Sequence, residues 1–132
     1  MTDFKKFKQY VSDKEKYELY FFESLLEKYP NFPDVLFPLA DLYTALGLFE
    51  KGLDIDLKLS VMYPDDESVW YNLSCSFSLC GKIDDALDAL EKAIKIGWDD
   101  AEHIINDHDL DNIKHTLRYN ILLNYLVNKK KA

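Results

Sequence analysis

Three aspartates near the C-terminus alternate in the way that the first ligands of a calcium-binding loop do. They are Asp107, Asp109 and Asp111. In an EF-hand loop that starts at the first of them, glycine should stand at the sixth position and a bidentate glutamate at the twelfth. This chain has Asn112 and Arg118 there. The pattern therefore argues against calcium and predicts a turn in which aspartates cap helix ends.

The same stretch contains histidines, which together with the carboxylates suggest a transition-metal site. Zinc sites usually combine two tight local pairs of ligands. His103, His108 and His115 lie in this stretch, but no cysteine pair accompanies them. We expect no metal and no cofactor. A metal protein or an enzyme that uses the His/Asp cluster at 103–115 remains the second alternative function.

Nucleophilic catalysis would require a base and an orienting group beside the nucleophile. No local pattern links Cys75 or Cys80 to a histidine, and both fall within one predicted helix. We expect two free thiols, which suits a reducing compartment. The glycines stand apart and form no phosphate-binding loop: Gly47, Gly52, Gly81 and Gly97. The sequence thus predicts no catalytic residue, and we expect a protein that is not an enzyme.

Composition restricts the classes of partner. Twenty-four acidic residues against sixteen basic ones give a formal net charge of −8, which repels a nucleic-acid backbone. Basic residues cluster only near the two ends, at 5–8 and 129–131. No apolar run reaches the roughly 18 residues that a membrane span needs, and the N-terminus lacks the apolar stretch of a signal peptide. We expect a cytoplasmic protein that binds neither nucleic acid nor membrane.

A 34-residue period organises the middle of the chain. Tyr29-Pro30, Tyr63-Pro64 and Gly97-Trp98 fall at this interval and define two blocks, 31–64 and 65–98. The blocks align without a gap. Similar residues recur in register: Leu39 with Leu73, Tyr43 with Phe77, Gly47 with Gly81, Phe49 with Ile83, Gly52 with Ala86, Leu53 with Leu87, Asp54 with Asp88 and Lys58 with Lys92. Such a period is typical of helical-repeat proteins.

Each block predicts two helices joined by a tight turn. In the second block, Asp65 or Asp66 can cap a helix with Trp70, Leu73, Phe77 and Cys80 on one face. Gly81 ends this helix, since glycine adopts the left-handed conformation at little cost. The next helix has an apolar stripe of Ile83, Ala86, Leu87, Leu90, Ala93 and Ile94. The small residues in that stripe allow two helices to approach closely.

The blocks resemble the tetratricopeptide repeat family, whose repeat has this same length and consists of helix, turn and helix. The second block matches in Trp70-Tyr71-Asn72-Leu73, Phe77, Gly81, Asp84-Asp85-Ala86 and Ala93. The first block keeps Leu36, Leu39, Ala40, Tyr43, Gly47 and Pro64. It departs from the pattern at Gly52 and Asp56, and Pro38 is expected to bend or weaken its first helix. The resemblance implies an all-α fold of antiparallel helix-turn-helix repeats, stacked as a short right-handed α-solenoid with N- and C-terminal capping helices.

Both flanks look like caps of this array, and the chain, 1–132, is expected to be a single domain. Residues 1–30 form the N-terminal cap, with a helix over 12–29 that starts at a capping box, Ser12 to Glu15. Repeats 31–64 and 65–98 follow. Residues 99–132 resemble the degenerate final unit of bacterial tetratricopeptide proteins and end in a long capping helix. Its predicted apolar stripe comprises Ile113, Leu117, Ile121, Leu122, Tyr125 and Leu126.

The resemblance also implies a function and a site. In this family, the first helices of successive repeats line a concave groove that binds a peptide or protein partner. The groove positions here are Phe37, Asp41 and Thr44 in the first block and Tyr71, Asn72, Cys75 and Ser78 in the second. Asn72 can hold a peptide backbone or only tie two helices together. We expect a scaffold or adaptor, and the net charge favours a basic or aromatic partner.

The first alternative is a structural homodimer. Tyr20, Phe21 and Phe22 are consecutive in the N-terminal helix. They make that helix more apolar than packing on one side requires, which is typical of an interaction surface.

Overall fold

Residues 12–131 are described by a computed structural model, in which helices follow one another through short turns. The elements are α1 (Asp13–Lys28), α2 (Pro33–Ala45), α3 (Phe49–Met62), α4 (Glu67–Leu79), α5 (Ile83–Ile96), α6 (Ala101–Asn106), a 3-10 helix (His108–Ile113) and α7 (Leu117–Lys131). No strand occurs between residues 12 and 131, and no helix in that range is long and apolar enough to cross a bilayer. The expected all-α class is confirmed for this part of the chain. Residues 1–11 of the predicted N-terminal cap lie outside the described residues.

Two pairs of helices repeat in register. Each boundary of α4 and α5 lies one 34-residue period after the corresponding boundary of α2 and α3. The turn inside each pair contains a glycine with positive φ, 77° at Gly47 and 74° at Gly81. A side chain with a Cβ is strained in this left-handed region, so glycine is the residue that lets the first helix of each pair end there. The period of the sequence is thus also a period of helix boundaries.

Capping residues explain where the helices start. The Ser12 hydroxyl oxygen accepts a hydrogen bond from the backbone N–H of Glu15 at 3.2 Å, which is the N-cap half of the predicted capping box. Asp66 caps α4, because its Oδ1 accepts hydrogen bonds from the amides of Ser68 and Val69.

Pro38 lies inside α2, which continues to Ala45. Since proline has no amide hydrogen, α2 loses one backbone hydrogen bond without ending.

The chain divides into two compact units, Met1–Leu48 (unit 1) and Phe49–Ala132 (unit 2). The boundary falls in the turn after α2, inside block 31–64. Each unit is described by itself below. The single domain over 1–132 stays a prediction.

Unit 1 contains α1 packed on α2. The Tyr43 hydroxyl in α2 donates a hydrogen bond to Oε2 of Glu23 in α1 at 2.7 Å. Burial, together with the Glu23 carboxylate, raises the pKa of Tyr43, so the hydroxyl stays a donor. The buried side chains described in this unit all belong to α2: Val35, Leu36, Leu39, Ala40 and Tyr43. None belongs to α1, which lies against α2 with partly exposed side chains.

Unit 2 has a core that α4 and α5 share with the C-terminal segment. Its buried members include Tyr71, Cys75, Ala86, Leu87, Leu90, Ala93, Ile94, Ala101, Ile104, Leu110, Ile113, Tyr119, Leu122 and Leu126. The Ser74 hydroxyl donates to the carbonyl of Ala86 at 2.7 Å and so ties α4 to α5. The Ser76 hydroxyl donates to the buried Asp56 carboxylate in α3. A carboxylate that stands where the resemblance expects an apolar residue therefore has a hydrogen-bond donor.

The C-terminal helix differs from the expected one. It starts at Leu117, and Ile113 belongs to the preceding 3-10 helix. Of the predicted stripe, Ile113, Leu122 and Leu126 are buried, but three residues are exposed: Leu117, Ile121 and Tyr125. Tyr119, which the predicted stripe did not include, is buried. The stripe prediction was wrong for the exposed three, because Ile121 and Tyr125 each precede a buried leucine by one position, and one position turns a side chain about 100° around the helix. Helix α7 is thus apolar on two faces.

Candidate functional site

The seven predicted groove residues divide between the two units. On α2 in unit 1, Asp41 is exposed, while Phe37 and Thr44 are partly buried. On α4 in unit 2, Asn72 is exposed. The other α4 members are buried: Tyr71, Cys75 and Ser78. One groove formed by both sets stays a prediction, and three of its seven side chains are packed inside unit 2.

Aromatic rings cover Tyr71. Its ring stacks on Trp98, with centroids 3.9 Å apart and an angle of 4° between the planes. The imidazole of His103 meets both rings edge-on, with its centroid 5.2 Å from that of Tyr71 and 5.3 Å from that of Trp98. An aromatic pair such as Tyr71 and Trp98 contributes about 0.5–1.5 kcal/mol beyond the area it buries. The residues after α5 are therefore held against the face of α4 that was expected to line a groove.

Asp107 is the centre of the hydrogen bonds in this region. Its Oδ2 accepts a hydrogen bond from the Tyr71 hydroxyl at 2.8 Å and one from the Cys75 thiol at 3.6 Å. Its Oδ1 accepts from the backbone N–H of Asp109 at 3.0 Å and caps the 3-10 helix. His103 Nε2 lies 3.7 Å from Oδ2. The predicted role of the aspartate-rich stretch as a capping turn is confirmed at this residue.

The same residues bring together three possible metal ligands. The Cys75 sulfur and one oxygen each of Asp107 and Asp109 lie within 4.8 Å of one another. Burial, and then the charge of Asp107, raises the pKa of the Cys75 thiol well above its usual range. Hydroxyl, thiol and amide donors of the protein already engage Asp107. Hydrogen bonding within the protein accounts for this geometry, so we assign the three residues no metal.

An open acidic cleft lies beside this cluster. Its volume is about 610 Å³, and its lining consists of Asp100, Glu102, His103, Asn106, Asp107, His108 and Asp109. Four of these seven residues carry carboxylates, and none is lysine or arginine. Burial, followed by the charges of Asp107 and Asp111, raises the pKa of Asp109. A concave surface lined by one sign of charge concentrates its field, so this cleft attracts cationic groups.

Sequence reasoning assigned residues 99–132 to a degenerate repeat but missed that the first part of this segment covers the predicted groove face of α4. Asn112 Nδ2 donates to the carbonyl of Ser78 at 2.8 Å. Leu110 and Ile113 are fully buried. A signal was present, because α6 begins one full period after the start of α4. Residues 101–113 therefore occupy the position of a further first helix in the same 34-residue register, and such a helix would pack beside α4.

The two free thiols should react at different rates. Cys75 is 7% exposed, whereas Cys80 is partly exposed. Because alkylation requires an accessible thiolate, iodoacetamide is expected to modify Cys80 at least about tenfold faster than Cys75 in the folded protein. Peptide mass mapping over time measures both rates, and in denaturant they should converge. Equal rates in the folded protein would show that residues 98–113 do not cover α4.

Comparison with known proteins finds a partial similarity. No family model matches the chain, and no solved structure matches it. A chloroplastic protein of Arabidopsis thaliana is 34% identical to it over 61 residues. The matched region is 46% of this chain and 18% of that protein, so the chain spans less than a fifth of the relative's length. The similarity concerns a part of each protein, and the family of this chain stays a prediction.

Proposed function

We propose that the chain is a non-catalytic protein-binding module of the tetratricopeptide type, and that the acidic cleft of unit 2 takes a basic segment of a partner protein. Three observations support the repeat type. The helix boundaries repeat with the 34-residue period, both turns contain a left-handed glycine, and small residues are fully buried in α5 at Ala86 and Ala93.

The charge of the cleft carries the binding proposal. Four of its seven lining residues carry carboxylates, and none is lysine or arginine. Glu102 is exposed there and is free to meet a cation from outside. Lysine and arginine side chains complement such a surface, whereas the C-terminal carboxylate of a partner would be repelled. The chain's net charge of −8 acts in the same direction over a longer range.

The packing beneath the cleft supports a preformed site. Asp107 is fixed to α4 through Tyr71, and Asp100 Oδ1 accepts a hydrogen bond from the amide of His103 at 3.0 Å at the start of α6. A lining that is already ordered loses little conformational freedom when a ligand binds. We therefore expect recognition of a short basic segment without folding of the cleft around it.

Fluorescence anisotropy with a labelled lysine–glycine repeat peptide tests the proposal. The peptide should bind at low ionic strength, and its Kd should rise with added salt, since salt screens exposed charges. Glu102→Lys is expected to weaken binding at least about fivefold, because it reverses one charge inside the cleft. The matched control is Asp54→Lys, which changes the net charge equally at an exposed position of α3 and should change Kd less than about twofold.

Two results would contradict the proposal. Equal weakening by both variants would mean that only the overall charge attracts the peptide. Equal binding of a glutamate–glycine peptide would mean that the cleft does not select cations.

A further inference from the structure

We propose that copies of this chain associate head to tail, with the exposed aromatic face of α1 in one copy packed on the exposed face of α7 in the next. The α1 face consists of Tyr17, Tyr20 and Phe21, and the α7 face consists of Leu117, Ile121 and Tyr125. This self-association goes beyond the binding of a partner in the acidic cleft and uses none of the residues that line it.

The α7 face is a second apolar surface on a helix that is already packed. Tyr119, Leu122 and Leu126 bury one side of α7 in the core of unit 2. The side chains of the α7 face are nevertheless 55–76% exposed. Beside this face, a groove of about 350 Å³ is lined by Glu91, Ile94, Lys95, Ile121, Leu122 and Tyr125. The α7 face and this groove form a mainly apolar surface on which side chains of another molecule can pack.

The α1 face supplies side chains of a suitable kind. Tyr17, Tyr20 and Phe21 are 57–79% exposed and lie three and four residues apart, so they project from one side of the helix. Large aromatic side chains contribute much of the binding energy at protein interfaces when they enter a partner's groove. Three neighbouring exposed rings on one helix form a patch of the kind that marks an interaction site.

Charge complementarity selects α1 of a second copy as the occupant of the α7 face. Helix α1 has five carboxylates and three lysines, whereas α7 has four basic residues and no carboxylate. In an antiparallel pair, the N-terminal end of α1 lies beside the basic last turn of α7, with Lys129 and Lys130, and the excess of carboxylates over lysines along α1 complements the basic residues of α7. The helix dipoles also complement each other in this orientation. Pairing two α7 helices would instead bring basic residues together, which is unfavourable.

The two faces differ, so the contact is heterologous. Each added copy leaves one α1 face and one α7 face unused at its ends, and the assembly grows until the ends meet in a ring or remain open. The mass of an open assembly should rise continuously with protein concentration, whereas a closed ring should reach a fixed mass. A symmetric dimer would instead reach a limit at two copies.

Single-face variants of the full-length chain provide the test. Tyr20→Glu disrupts the α1 face and Ile121→Glu disrupts the α7 face, because each places a carboxylate in an apolar contact. Light scattering after gel filtration should find each variant alone at the 15.5 kDa of one chain. An equimolar mixture should give a heterodimer of twice that mass, because each copy then keeps one complementary face. Wild-type protein should exceed the dimer mass as its concentration rises.

Each alternative outcome overturns the proposal. A monomeric wild type at high concentration, or no association in the mixture, would exclude the head-to-tail contact. Dimers of either variant alone would indicate a symmetric contact through the remaining face. Circular dichroism verifies that each variant keeps its helix content. If either is unfolded, Phe21→Glu or Tyr125→Glu takes its place, since these side chains are also exposed. Peptide binding in the acidic cleft should be unchanged in all four variants.

Discussion

Tyr71→Ala is expected to lower the free energy of unfolding of unit 2 by about 3–5 kcal/mol, the usual cost of truncating a buried aromatic side chain. The ring is 3% exposed and stacks on Trp98. Its hydroxyl also donates a hydrogen bond to the Asp107 carboxylate. Urea unfolding followed by tryptophan fluorescence measures the change. The signal reports on unit 2, because both of the chain's tryptophans, Trp70 and Trp98, belong to it.

Tyr71→Phe separates the ring from the hydroxyl. It keeps the stack on Trp98 and removes one hydrogen bond to a carboxylate, which is worth about 1.5–3 kcal/mol. The phenylalanine variant should therefore lie between wild type and Tyr71→Ala in stability. Equal losses for the two variants would mean that the ring contributes nothing. No loss for either would mean that the segment after α5 does not pack on α4.

Leu126→Ala is expected to cost about 2.7–5 kcal/mol, whereas Leu117→Ala should change stability by less than about 0.5 kcal/mol. Both substitutions remove the same atoms from the same helix. Leu126 is 1% exposed and Leu117 is 76% exposed, and only the former leaves a cavity in the core. Urea unfolding in dilute solution measures both variants, so that self-association does not contribute.

This pair tests which face of α7 belongs to the core. The predicted stripe placed both leucines on one buried face, in which case the two variants would lose similar stability. A large loss for Leu117→Ala in dilute solution would therefore restore that prediction and remove the α7 face as a docking surface.

The peptide-binding prediction and the Tyr71 stability predictions both depend on residues 98–113. Residues 98–113 cover the predicted groove face of α4 through Trp98 and Asp107. The acidic cleft is lined by residues of the same segment. A substitution such as Tyr71→Ala is consequently a poor test of partner binding, since it disturbs the support of the cleft. Glu102→Lys changes an exposed side chain and leaves that support intact.

The sequence by itself determined the helices of the two 34-residue blocks and their ends, but not the start of α7. Apolar spacing, the Ser12 and Asp66 caps and the glycines at 47 and 81 act within a few residues, and helix formation depends on such local features. The 34-residue period could be identified for the same reason, because it repeats these local signals. The predicted groove could be identified only as a face of each first helix, and the acidic cleft was not predicted as a binding site.

Only the tertiary structure decided what covers each face. The Tyr71 hydroxyl and its acceptor Asp107 are 36 residues apart, and the sequence around either residue does not predict the hydrogen bond between them. In α7, both faces are apolar, so periodicity cannot state which one is packed and which one remains exposed. Burial depends on which distant elements meet, and contacts between residues far apart in the chain form only when the whole unit folds.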